Sequence, residues 1–409
     1  MRARRRRSCR PVLLASFVLG LVSAHPAAAQ LADSPWPCFQ HDAQHTGRSA
    51  LLGPDDPTVL WSYKGRNRLV STPAIGQDGT IYLGHGRNPL CAIDPADGEE
   101  VWCTTKNRGT FADRSSPAAA ANGNIYIGGR DNDLWSVLAN GETQWQFHIQ
   151  TDGDVTTSPV IGNLGGLIYI GSDSLSAGYF YAMRPGPVAD PAWLNILGGG
   201  LRNVSPALSH DGTVVYVTTS GYRLHALDAL TGIQLWDLVL ERRRNGARGP
   251  NYTPVVGDDG TIYVGLDEGL FAVAPDGTLK WRFKTGRRRI FSPPAIGIDG
   301  TLFVGAARRT DGMFFALTPE GVEKWSTPIK GRLFNTAPVV DAAGTVYLAA
   351  DRTLRAFHPE GDGEGGASVK WALSGFARRV FDSGTVIGDR VLYQGSRDTR
   401  LYAIGDQIE

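Results

Sequence analysis

Few residues of this 409-residue chain are spaced for chemistry. His41, Asp42 and His45 stand close together, and histidines four apart would offer two imidazoles to one metal ion on a helix. Pro37 and Gly47 flank them and favour an irregular strap, in which Trp36 and Phe39 are packing residues and no metal is held. Cys91 and Cys103 flank a turn at residues 94–98, and one register sets them opposite each other as a candidate disulfide in an oxidising compartment. A pairing of Cys38 with either of them is the open alternative. There is no Gly-rich phosphate loop, no GxSxG elbow and no Cys/His cluster, so no catalytic, cofactor-binding or metal residue is assigned. What remains is arginine. Arg66, Arg68, Arg242, Arg243, Arg244, Arg287, Arg288, Arg289, Arg332, Arg378 and Arg379 fall in connecting segments, and guanidinium forks suit carboxylates and phosphates.

The elements that must position these residues are short strands. In YTPVVGDDGTIYVGLDEGLFAVAPDGTLKW, from Tyr252 to Trp281, three apolar runs of four to six residues are separated by Asp-Gly turns. Such runs fit strands and are too short for helices, and Gly in the turns accepts φ > 0 without steric cost. The closing tryptophan recurs as Trp61, Trp102, Trp145, Trp193, Trp236, Trp281, Trp325 and Trp371, at intervals of 41 to 48 residues. Between them a Ser/Thr/Ala-Pro step, an aromatic-centred run and a Leu/Phe-x-Ala run return in the same order. Self-similarity of this period with about four strands per unit predicts an all-β, eight-bladed β-propeller of four-stranded antiparallel blades. The first Trp strand precedes the first Pro-step strand, and no Trp follows the last run, Leu401 to Ile404. The Trp61 strand is therefore expected to complete the last blade, which leaves no radial edge open.

The repeat GTIYVG…LFAVAPDGTLKW resembles the pyrroloquinoline-quinone-type (PQQ-like) β-propeller repeat, found also in the propeller subunit of the outer-membrane β-barrel assembly machinery. The resemblance spans about residues 59–404, and WPCFQHDAQHTGRS is similar to the lead segment of such proteins. It implies that each blade tryptophan docks on a neighbouring blade as a structural residue. Quinoprotein dehydrogenases share the repeat, with a quinone on the axis beside vicinal cysteines and a Ca²⁺ held by carboxylate and Asn ligands. Here no two cysteines are adjacent and the repeats lack long insertions. No cofactor is expected; PQQ with calcium enters only under the enzyme alternative.

Residues 1–29 read as a cleaved signal peptide: Arg2, Arg4 to Arg7 and Arg10, then an apolar run over 12–22, then Ala27, Ala28 and Ala29. The apolar run is too short to span a bilayer, and no Cys stands at the cleavage position for a lipid anchor. The expected division is 1–29 signal peptide, 30–56 lead segment packing on the propeller, and 57–409 propeller. Removal of the leader leaves 35 basic against 40 acidic residues. In a propeller the connections between blades and those between second and third strands share one face, and most of the arginines fall there. The Asp-Gly turns, including Asp78, Asp259, Asp276 and Asp299, fall on the other.

These features point to an exported protein, periplasmic or extracellular, monomeric and non-catalytic, that binds an envelope protein through its loop faces. The alternatives are a binder of an extracellular anionic ligand or polysaccharide on the basic face, and a PQQ-dependent dehydrogenase. The basic loops carry no interleaved aromatics, which argues against nucleic acid. No transmembrane segment is expected in the mature chain.

Overall fold

The computed structural model describes residues 29–407 except 86–89, 105–113, 130, 150–152, 173–176, 242–252, 268, 332 and 334. Arg242, Arg243, Arg244, Arg332 and nearly all of the leader therefore lie outside the described residues.

Thirty-three strands and no helix make up the described chain, in eight antiparallel sheets. The first blade sets the pattern: Ala74–Ile75 innermost, then Ile81–Gly84, Leu90–Ile93 and the outer Glu100–Cys103. Inner strands are mostly two residues long because the preceding proline has no N–H to give to a ladder. The sixth blade departs from four strands: Arg289–Ile290 and Ala295–Ile296 both pair with Leu302–Arg308, on either side of Pro293-Pro294. In the last blade the strand Pro57–Lys64 pairs with Arg400–Asp406, outside Val391–Ser396 and Phe381–Ile387. The two ends of the chain thus share one sheet.

The middle strands are buried on both faces, and the core lies between sheets. Val160, Tyr169 and Phe180 of the third blade, for example, pack with Leu208, Val215 and Leu227 of the fourth. Every outer strand carries a register shift beside its tryptophan, as between Ala272/Val273 opposite Trp281 and Ala316/Leu317 opposite Trp325. Such a bulge rotates the strand and aims the indole sideways. All eight indole N–H groups then donate to a carbonyl in the next blade's turn. Trp61 reaches Pro95 at 3.0 Å, Trp281 reaches Pro319 at 2.8 Å and Trp325 reaches Pro359 at 2.8 Å. Trp371 closes the circle on Pro54 at 3.1 Å, just before the shared strand. Each ring also tilts against the aromatic of its own second strand, as Trp281 on Tyr263 at 5.9 Å. The turn residue under the ring must be glycine: a Cβ at Gly321, φ +81°, would lie 2.7 Å from the Trp281 ring.

Candidate functional site: the propeller axis and its basic face

The lead segment is the strap expected, not a helix. His41 and His45 have φ of 76° and 62°, which no helix contains. The strap runs around the inner ends of the blades and ties seven of them by backbone hydrogen bonds. Ile75 donates to Trp36, Ala119 to Pro37, Leu208 to Ala43, Val256 to Gln44, Ile296 to Thr46, Val340 to Gly47 and Arg390 to Leu52. Its own Trp36 and Cys38 are fully buried. Asp42 organises its sharpest bend, accepting from the backbone N–H of Gln44 and Thr46 at 3.1 and 2.9 Å and from the Thr46 hydroxyl. Burial raises the Asp42 carboxyl, but hydrogen bonds from His41 and Thr46 outweigh it and the net shift is downward. His45 is buried with Nδ1 against the Pro254 carbonyl, and burial pushes it down to about 4. His41 and His45 thus serve the strap's own geometry. Burial likewise pushes the Cys38 thiol up, which suppresses the thiolate.

Above the strap is the narrow axial well, lined by Phe39. Its wall is a belt of hydroxyls from the Pro steps. The N–H of Gly384 donates to Thr72 Oγ1 (3.0 Å), Thr72 to Ser116 (3.0 Å), Ser116 to Ser158 (2.9 Å), Ser158 to Ser205 (3.3 Å) and Ser205 to Thr253 (3.1 Å). Each step joins adjacent blades. Pro293 and Ala337, which have no hydroxyl, occupy the next two positions.

A polar cluster borders the well. Asp382, 2% exposed, accepts from Asn335 Nδ2 at 3.0 Å and from Arg397 Nε at 2.7 Å, and Arg114 Nη1 lies 3.5 Å from Asn335 Oδ1. Burial raises the Asp382 carboxyl more than Arg397 and Arg114 lower it. None of these four was singled out from sequence. Part of the signal was present: Val70, Arg114, Thr156, Asn203, Phe291 and Asn335 all stand two residues before the first residue of a Pro step, and Asp382 stands two before Gly384, which takes that place in the eighth blade, where there is no Pro. Aligning the repeats on that step exposes the column that lines the axis.

The arginines predicted to bind on the basic face fall into distinct environments. Arg66, Arg68, Arg287, Arg378 and Arg379 are exposed. Arg288 and Arg289, unlike Arg287, make ion pairs within the protein. Arg288 Nη2 lies 3.0 Å from Asp311, and Arg289 Nη2 lies 3.2 Å from Asp267. Both acids sit in hairpin ends between second and third strands, which share this face. Pairing within the sixth blade brings Asp311 to Arg288, and packing of the fifth blade on the sixth brings Asp267 to Arg289.

Cys91 and Cys103 face each other in neighbouring strands and are joined as a disulfide, while Cys38 is free. The bridge lies in the outer half of the first blade, away from the axis.

The sequence profile of the family described as outer membrane protein assembly factor BamB matches residues 43–186 and 194–272, more than half of the chain. The chain belongs to that family. BamB of Moraxella catarrhalis shares its fold with a TM-score of 0.67 at 16% identity, over 86% of this chain and 100% of that one. The quinohemoprotein alcohol dehydrogenase of Comamonas testosteroni superposes with a TM-score of 0.71 at 15% identity, over 91% and 81%. A europium-containing methanol dehydrogenase gives 0.73 at 13% identity, over 92% and 99%. At such identities the solved structures share a fold with this BamB-family chain, and nothing finer follows. No curated protein matches it.

Proposed function

We propose that this BamB-family propeller is an exported scaffold of the cell envelope that works in outer-membrane protein assembly by binding a protein partner on its basic loop face. The carrying observation is the strap. By tying the inner ends of seven blades it occupies one end of the axis, so the end on the side of the interblade loops is the open one. Residues 1–29 supply the export signal in this reading. Among the described residues no helix is long and apolar enough to cross a membrane.

The quinone alternative asks for vicinal cysteines and a free carboxylate–Asn pair on the axis. The described residues do not fit that set. Cys91 and Cys103 are spent on each other in the first blade, and the Asp382–Asn335 pair is already closed by Arg397. The well wall is hydrogen-bonded to itself through the hydroxyl belt.

Photo-crosslinking side chains placed singly at Arg66, Arg287 and Arg379 on the loop face, and at Asp78, Asp276 and Asp299 on the turn face, test the proposal in envelope preparations. One common adduct from the loop face, absent from the turn face, is expected. Adducts from the turn face alone would overturn it.

A further inference from the structure

We propose that the groove between the seventh and eighth blades is the part of the basic face that grips its partner, and that it takes an extended, carboxylate-rich peptide segment. This rests on the loop-face reading above and locates it. The groove is lined by Asp351, Arg352, Arg378, Arg379, Val380 and Arg397, with about 750 Å³ of open space. Four arginines face one aspartate there.

Three of those arginines are uncommitted. Arg352, Arg378 and Arg379 are exposed and make no ion pair with a carboxylate among the described residues. Asp398, beside Arg378, turns its oxygens to other donors: it accepts from the N–H of Arg378 (2.8 Å), the N–H of Arg400 (3.2 Å) and the Tyr402 hydroxyl (2.7 Å). Arg397 is held at the groove by buried Asp382, which fixes its orientation. At 287–289, by contrast, Asp311 and Asp267 already fill two forks.

The charges come from three loops: the hairpin end at 351–352, the interblade connection at 378–379 and the hairpin end at 397. They lie along an open groove and do not ring a closed pocket. Such an array suits successive carboxylates of an extended chain better than one phosphate, and guanidinium forks match carboxylates in geometry.

The full chain is titrated with a fluorescein-labelled, glutamate-rich dodecapeptide at low salt. Arg352→Glu/Arg378→Glu/Arg379→Glu should weaken binding by about tenfold or more, while Arg66→Glu/Arg68→Glu/Arg287→Glu, with the same change in net charge, should weaken it by about twofold or less. The neutral triple Arg352→Gln/Arg378→Gln/Arg379→Gln should fall between them and guards against a folding defect in the acidic triple. Equal loss in both acidic triples would overturn the groove as the site. So would displacement of the peptide by inorganic phosphate at matched ionic strength, or tighter binding to phosphatidylglycerol vesicles than to the peptide. In these cases an intact loop-face crosslink to a protein would show that the broader reading survives without the groove.

Discussion

Trp325 is 1% exposed, whereas Trp281 in the same structural role is only half buried, and the difference sets their worth. Trp325→Ala should cost about 3–5 kcal/mol, the range for a fully buried aromatic, and Trp281→Ala measurably less. Denaturant midpoints at constant m-value read both. Gly321→Val should hurt although it removes no contact, because a Cβ would meet the Trp281 ring at 2.7 Å on a backbone with φ +81°. The buried histidines make stability fall with acid. Burial lowers both His45 and His85 from 6.5 to about 4. Their folded values lie below the unfolded one, so the unfolded chain takes up protons first as pH drops. Stability is therefore full above about 6.5 and lost progressively toward about 4. His45→Gln/His85→Gln should flatten the melting-temperature profile across that window. A profile as steep as that of the unaltered chain would refute the assignment.

At the scale of elements, the strap and the closing strand do different work. Deleting residues 30–52 removes the backbone partners of six inner strands and of the Arg390 turn but leaves Pro57–Lys64 in the last sheet. A folded ring of lower melting temperature is expected. Extending the deletion through Lys64 bares Arg400–Asp406 as an unpaired edge and removes Trp61, so self-association on size exclusion should follow. The order of severity is the test, since an equal effect would mean that the ring does not depend on the shared strand. Much of this level was legible in advance. Strand runs, Trp period and the missing last Trp are local patterns, and each maps to one element. The second short strand of the sixth blade was not legible, because it depends on how far Leu302–Arg308 extends past Pro293-Pro294.

For the whole molecule, the ring divides chemistry by place. One end of the axis is taken by the strap, the wall is belted by hydroxyls, and the open positive charge lies on the loop face. Addition of PQQ with Ca²⁺ should therefore give no sustained dye-linked oxidation of alcohols or sugars. Sustained turnover would return the chain to the enzyme reading. Binding through the loop face should weaken as salt rises, since exposed charges are screened beyond a Debye length of about 8 Å at physiological ionic strength.

Sequence alone determined what repeats: the strand type, the number of blades, the tryptophan in each and the strand that joins the ends. These follow from short-range periodicity, which a chain carries in its own order. Tertiary structure decided what converges. Arg114, Asn335, Asp382 and Arg397 meet at the axis from the second, seventh and eighth blades, and Arg288 and Arg289 are neutralised by Asp311 and Asp267 while Arg352, Arg378 and Arg379 stay open. Coulomb and hydrogen-bond energies depend on distance in space, and strand pairing within blades and packing between them set those distances.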